Sequence, residues 1–405
     1  MTGPPSSDAV ARQYDRWIYP TPLDDLEAWL QSNWEWFDPS HAQHLLWPDR
    51  DYRPDMDILI AGCGTNQAAV FAFTNPSAHV VAVDVSSSSL DHQRYLQEKY
   101  GLWNLTLHQL PLEEVPSLGL EFDLIVSTGV LHHLVDPRMG LQALAECARP
   151  DAAIGIMLYA KYGRIGVHLL SSVFKDMGLR QDNISVAMIR DILELVPQNH
   201  PIRSYLSIAR DLSSDAALVD TFLHSRERNY RVEECIDLVE SSGLVFQGWL
   251  LNSPYYLHEV ATSAADVSST LTAMPETTQW SIMERLFPAN ACHFFLACRP
   301  ERSRETYVID FSSDASLDYI PELRKGCGLS GSELFRWDWR MGLNPTQILL
   351  MQRVNGRRSI REILASVART GSFGRANLVE RETFARELFR SLWRLDFLAM
   401  ALNVS

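Results

Sequence analysis

From Met56 to about residue 160, short and wholly apolar runs alternate with amphipathic stretches. Asp57-Ile58-Leu59-Ile60-Ala61, His79-Val80-Val81-Ala82-Val83-Asp84, Leu105-Thr106-Leu107-His108, Phe122-Asp123-Leu124-Ile125-Val126-Ser127 and Ala153-Ile154-Gly155-Ile156-Met157-Leu158-Tyr159 predict five strands. Residues 67–73, 89–100 and 141–148, lying between them, predict helices. A strand that is apolar on both faces belongs to a sheet covered on both sides. The strand–helix alternation therefore predicts an α/β domain with a parallel sheet.

From Lys161 to about Glu240 the strand signals stop, and several helices are expected, with a polar break at Pro197-Gln198-Asn199-His200-Pro201. Strand signals return at 244–249 and 293–298, with a helical stretch at 265–287 between them. Helical insertions are thus expected at about 161–240 and 260–290. After a break at Arg299-Pro300-Glu301-Arg302, helices are expected from Asn344-Pro345-Thr346, from Ser359, and from Phe384 to Leu398. In the last, Phe384, Leu388, Leu392 and Leu395 keep helical spacing. The expected organisation is an arm or lid at 1–50, a main domain at 51–300 and a C-terminal domain at 301–405. Five of the eleven Trp fall in the arm (Trp17, Trp29, Trp34, Trp36, Trp47), and Asp24-Asp25 after Pro22 marks a helix start there.

Composition narrows the class. The 405 residues are 46% apolar and 21% charged, ordinary for a globular chain. No apolar run is long enough to span a membrane, and the first residues show no secretory signal pattern. The net charge of −14 disfavours nucleic acid as a partner. Residues 351–405 carry ten Arg against five acids, a local +5 that leaves −19 elsewhere. The six Cys form no Cys-x-x-Cys pair, so no metal site is expected, and scattered thiols suit a reducing, cytoplasmic setting.

The chemistry gathers at strand ends. Gly62-Cys63-Gly64-Thr65-Asn66-Gln67 closes the first strand, where glycines permit a sharp turn and close approach of a ligand. Asp84 ends the second strand, where an acid accepts hydrogen bonds from ribose hydroxyls. The run lacks a third Gly for a pyrophosphate cradle, and no Lys or Arg stands beside it. These features favour an adenosine ligand without phosphates.

On these residues, 55–160 resemble the class I S-adenosylmethionine-dependent methyltransferases. The stretch Phe122 to Leu134, ending in Thr128-Gly129-Val130-Leu131-His132-His133-Leu134, resembles their fourth-strand motif in the ubiquinone and menaquinone methyltransferase-like branch. The resemblance implies a Rossmann-like, seven-stranded, mostly parallel sheet with helices on both faces. It also implies S-adenosyl-L-methionine as cofactor, held by Gly62, Cys63, Gly64, Asn66, Gln67, Asp84, Val85, Leu110, Pro111, Ser127, Thr128, Gly129 and His132. Two positions depart from the family: Ile60 replaces an acid, and Asn66 replaces a glycine, with a left-handed backbone expected at Asn66.

The expected reaction is methyl transfer to a small molecule or to a peptide or protein side chain. A catalytically silent, S-adenosylmethionine-binding scaffold is the alternative kept open by Ile60. Candidate substrate residues are Tyr14, Tyr19, His133, Tyr159, Tyr162 and Arg164, with no general base assigned; His132 and His133 also suit a helix cap and a packing role. Leu343 to Gln347, Asn355 to Ile363 and Leu388 to Leu398 are similar to the winged-helix domain of PqqD-like peptide carriers. Protein lysine methyltransferases with a winged-helix tail are a second comparison. The first similarity implies peptide binding by strand addition.

Overall fold

The computed structural model describes residues 9–257 and 265–402. The start of the arm at 1–8, residues 258–264 of the second insertion and the last three residues lie outside the described residues.

One sheet holds β1 (Asp57–Ala61), β2 (His79–Asp84), β3 (Leu105–Gln109), β4 (Phe122–Thr128), β5 (Ala148–Tyr159), β6 (Val245–Trp249) and β7 (Cys292–Cys298). Their order is β3-β2-β1-β4-β5-β7-β6. The first five strands run parallel, and β7 pairs antiparallel with β5. Ile58, Leu59, Ile60, Val80, Val81, Leu124, Ile125 and Val126 are fully buried, as strands covered on both faces require. The expected Rossmann-like α/β sheet is formed. Chain order reverses between β1 and β4, which opens a crevice at the carboxyl ends of the strands.

The chain packs into two compact units. The first comprises 1–36, 53–246 and 281–302, and the second 37–52, 247–280 and 303–405. In the first, helices Ile165–Asp176, Asn183–Leu195, Ile202–Ile208 and Asp215–Leu223 share an apolar core of Leu170, Phe174, Ile189, Ile202, Leu218 and Phe222. Helix Pro137–Glu146 starts four residues before the expected position. Pro137 at its first turn and the cap from Asp136 to the Arg138 and Met139 N–H groups fix that start.

The second unit is assembled from three stretches of chain. It contains β8 (Ile320–Leu323), β9 (Gly328–Ser330), β10 (Glu333–Phe335), β11 (Arg340–Gly342) and β12 (Leu398–Ala401). β12 pairs antiparallel with β8. Helices Pro345–Met351, Ile360–Ala368 and Leu378–Arg394 close its core through Leu350, Ile363, Val367, Phe389 and Leu392. The third helix runs earlier than the expected 384–398. A capping box between Asn377 and Glu380 starts it, and Asp396, at φ 63°, turns the chain into β12.

Asp396 is fully buried and ties two of these stretches, 247–280 and 303–405, together. Its carboxylate accepts from Arg324 Nη1 at 2.7 Å and from the N–H groups of Asn252 at 2.8 Å and Ser253 at 2.9 Å. Removing one partner of a buried pair leaves the other charge uncompensated. Asp396→Ala is expected to cost about 3–5 kcal/mol, read as a lower urea midpoint.

Candidate functional site

A cavity of about 860 Å³ lies at the crevice, a size suited to one adenosine-type ligand and part of a second molecule. Its floor starts at the glycine turn. Gly62 has φ +80° and Gly64 φ +52°. A Cβ at Gly62 would stand 2.2 Å from Val130 Cγ2, so only glycine fits. Asp84, at the end of β2, accepts from the Gly64 N–H at 2.8 Å and from the Ser86 N–H at 2.9 Å. Each carboxylate oxygen has a second lone pair, so the group can also meet hydroxyls. Burial raises its pKa above the ordinary value, opposed by those backbone bonds. Val85, Leu110 and Pro111 continue the wall. This apolar wall, buried acid and glycine floor fit an adenosine ligand.

Of the expected cofactor residues, Gly62, Gly64, Asp84, Val85, Leu110, Pro111, Thr128 and Gly129 line the cavity; Cys63, Asn66, Gln67, Ser127 and His132 do not. Cys63 is buried beneath the turn, and Ser127 is fully buried in β4. Asn66 is not left-handed; its φ is −133°. Its side chain ties down the arm instead, accepting from Leu23 N–H at 2.9 Å and donating to Thr21 O at 3.0 Å. Gln67 Nε2 donates to Glu35 Oε2 at 2.9 Å and to Thr128 Oγ1 at 3.2 Å.

The arm crosses this floor. Thr65 Oγ1 donates to Pro20 O at 2.9 Å, and Ser86 Oγ to Asp15 Oδ1 at 2.9 Å. Ala9, Val10, Arg12, Tyr14, Tyr19 and Pro20 thereby become cavity wall.

The other end of the cavity holds Tyr14, His133, Tyr159, Asp220 and Arg226. The Tyr14 hydroxyl donates to Asp220 Oδ1 at 2.8 Å, and the Tyr159 hydroxyl to Oδ2 at 3.5 Å. Burial, then the Asp220 charge, raises both phenols well above their ordinary range. Of the expected substrate residues, Tyr14, Tyr19, His133 and Tyr159 line the cavity. Tyr162 and Arg164 do not. Tyr162 lies in the turn after β5. The Arg164 guanidinium is buried, donates to Tyr205 Oη and Glu227 Oε2 at 2.9 Å each, and stacks 3.7 Å over the Tyr159 ring. It braces Tyr159 rather than facing a ligand.

Neither His132 nor His133 caps the following helix; Asp136 does. His132 is buried between the rings of Tyr159 and His133, at 4.0 Å and 4.2 Å. Asp220, His224 and Arg226 were missed by sequence reasoning. They sit at the end of helix Asp215–Leu223 and in the polar run after it, which carries no motif. Only the fold brings them beside β4 and β5.

The imidazoles here are held neutral. Burial, and then neighbouring rings and guanidinium groups, pushes His132 well below its ordinary value and His224 to about 2. His133 falls to about 4, where burial outweighs its bond to a backbone carbonyl. With folded values depressed, the unfolded chain takes up protons first as pH falls below about 6.5. His133 and His224 then each withdraw stability, by about 2 kcal/mol at pH 5. Glu284 opposes this, because burial raises it to about 7 and the folded chain takes up that proton. The urea midpoint is expected to fall between pH 7 and pH 5. His224→Phe is expected to flatten the fall by about 2 kcal/mol, measured by urea unfolding at both pH values.

Comparison with known proteins agrees with this geometry. Residues 59–154 match the profile of a family described as a methyltransferase domain. A protein of Synechococcus sp. called uncharacterized protein syc1184_c is 28% identical over 347 residues, covering 82% of this chain and 81% of that protein. The tRNA 5-carboxymethoxyuridine methyltransferase of Escherichia coli is 26% identical over 175 residues. That match spans 41% of this chain and 61% of that enzyme. The solved structure of PKMT2 from Rickettsia typhi aligns with a TM-score of 0.65 at 14% identity, covering 91% of this chain and 76% of that one, and so shares the fold. Residues 59–154 thus match a methyltransferase domain, for which S-adenosylmethionine is the cofactor.

Proposed function

We propose that the protein transfers the methyl group of S-adenosylmethionine to a small molecule or to a peptide or protein side chain. The observation that carries this reading is one continuous cavity with Gly62, Gly64 and Asp84 at one end and Tyr14, His133, Tyr159 and Asp220 at the other. The bound cofactor would supply an electrophilic methyl group. The chain's own residues hold and align the two partners. Asp84 takes the ribose hydroxyls, Leu110 and Pro111 cover the base, and Gly62 and Gly64 let the ligand approach the backbone. Tyr14, Tyr19 and Pro20 close the roof and keep water out. Alignment of this kind is worth up to about 7–11 kcal/mol in favourable cases.

The tRNA acceptor named for the Escherichia coli relative is not carried over to this chain. A net charge of −14 gives a phosphate backbone little electrostatic footing. The ubiquinone and menaquinone-like branch, and a PqqD-like winged-helix role for the second unit, belong to the same proposal. Its three helices and the β8–β12 pair supply the parts of such a module, and a peptide partner is the occupant it suits. Truncation at Arg302 is a poor test of that role. It would strip 37–52 and 247–280 of the core they share with 303–405.

Calorimetry with S-adenosylhomocysteine tests the site. Binding in the micromolar range is expected, weakened at least about tenfold by Asp84→Ala and abolished by Gly62→Arg. Absence of any heat from the unaltered chain would overturn the proposal. Transfer of labelled methyl groups into a lysate, resolved by size, then separates protein acceptors from small ones; no transfer would leave a binding scaffold.

A further inference from the structure

Two imidazoles stand face to face in this end of the site. The rings of His133 and His224 stack with centroids 3.8 Å apart and planes inclined by 24°. The backbone of one residue, Arg226, fixes where each ring carries its proton. His133 Nδ1 lies 2.7 Å from the Arg226 carbonyl oxygen, which can only accept. The proton of His133 is therefore on Nδ1, and Nε2 presents a lone pair. The Arg226 N–H donates to His224 Nδ1 at 3.0 Å, so the proton of His224 is on Nε2. Ring nitrogens of both residues lie within 4.8 Å of each other and of an Asp220 carboxylate oxygen. The same spacing would suit a metal ion, but a neutral His224 with its proton on Nε2 offers no ligand atom there.

We propose that His133 Nε2 is the proton acceptor of the transfer, and that the methyl acceptor is a hydroxyl group, phenolic or enolic. This deepens the methyltransferase reading above and rests on it. A lone pair of the hydroxyl oxygen forms the new O–CH3 bond as the S–CH3 bond breaks. Sulfur keeps that electron pair and becomes a neutral thioether. The O–H proton passes to His133 Nε2, and the electrons of the O–H bond stay on oxygen. One positive charge thus moves from sulfur to an imidazolium beside the Asp220 carboxylate.

The site selects against other acceptors. A carboxylate has no proton to give and would face both the His133 lone pair and the charge of Asp220. An ammonium group has no lone pair until it is deprotonated, and it holds its proton to about pH 10.4. His133 is faced by the rings of His132, Tyr159 and His224 and by the cationic Arg164 and Arg226, and its basicity is pushed down to about 4. Prior transfer from an ammonium is therefore uphill by about six pKa units. A hydroxyl keeps a lone pair while still protonated. Its proton leaves only as charge develops on oxygen, when even a weak base is sufficient.

The test uses the full chain saturated with S-adenosylhomocysteine, with histidine ring nitrogens observed by 15N NMR. Three probes are added separately: phenol, n-butylamine and acetate. His133 is expected to show a protonated Nδ1 and an unprotonated Nε2, and phenol alone is expected to shift Nε2 upfield. His133→Asn, whose amide can still donate to the Arg226 carbonyl, is expected to weaken phenol binding about tenfold. A protonated Nε2, a response to butylamine or acetate in place of phenol, or full-strength phenol binding in His133→Asn would overturn the inference. Failure of S-adenosylhomocysteine to bind would instead remove the methyltransferase reading beneath it.

Discussion

The 2.8 Å hydrogen bond from the Gly64 N–H to the Asp84 carboxylate is the contact on which the rest of the site depends. It joins the turn after β1 to the end of β2, and so sets the depth of the cavity floor. An acid buried at this depth is costly unless hydrogen-bonded. Here the backbone N–H groups of Gly64 and Ser86 both point at it. They can do so because Gly62 and Gly64 adopt positive φ, which a side chain at Gly62 would forbid by striking Val130. The turn in turn supports the arm: the Thr65 hydroxyl and the Asn66 amide hold residues 20–23 across the cavity. Glycine conformation, acid burial and roof are therefore one linked arrangement.

Legibility in the sequence followed the range of the interactions. β1 to β5 were readable because unbroken apolar runs are a local signal, and Gly62, Gly64 and Asp84 because they end such runs. At the acceptor end Tyr14, His133 and Tyr159 were named from the sequence, but Asp220, Arg226 and the pairings among these residues were not. Tyr14 meets Asp220 across 206 positions and His133 meets Arg226 across 93, and neither pairing leaves a periodicity. Arg164 misled for the opposite reason. A cation after a strand end suggests an anion site, yet its charge is spent on Glu227 and on the Tyr159 ring. Asn66 misled through its tolerance of left-handed backbone. Its amide found partners in the arm, and the turn needed nothing more from its φ.

The arginine-rich tail shows how a charge count depends on the unit counted. Residues 351–405 alone sum to +5 and suggest a basic module. The compact unit they belong to also contains 37–52, 247–280 and 303–350, and the whole of it sums to −2. Three of these arginines are matched by acids nearby. Arg361 pairs with Asp318 and Glu382, Arg386 with Asp314, and Arg390 with Glu387. Asp314 and Asp318 lie outside the tail, so part of the local excess is met by acids that folding brings alongside. Exposed pairs of this kind add little stability. Their effect is to cancel the field that would draw a polyanion. For the peptide role proposed for this unit, recognition would rest on shape, apolar contact and backbone hydrogen bonding, the terms that hold an extended peptide against a strand edge.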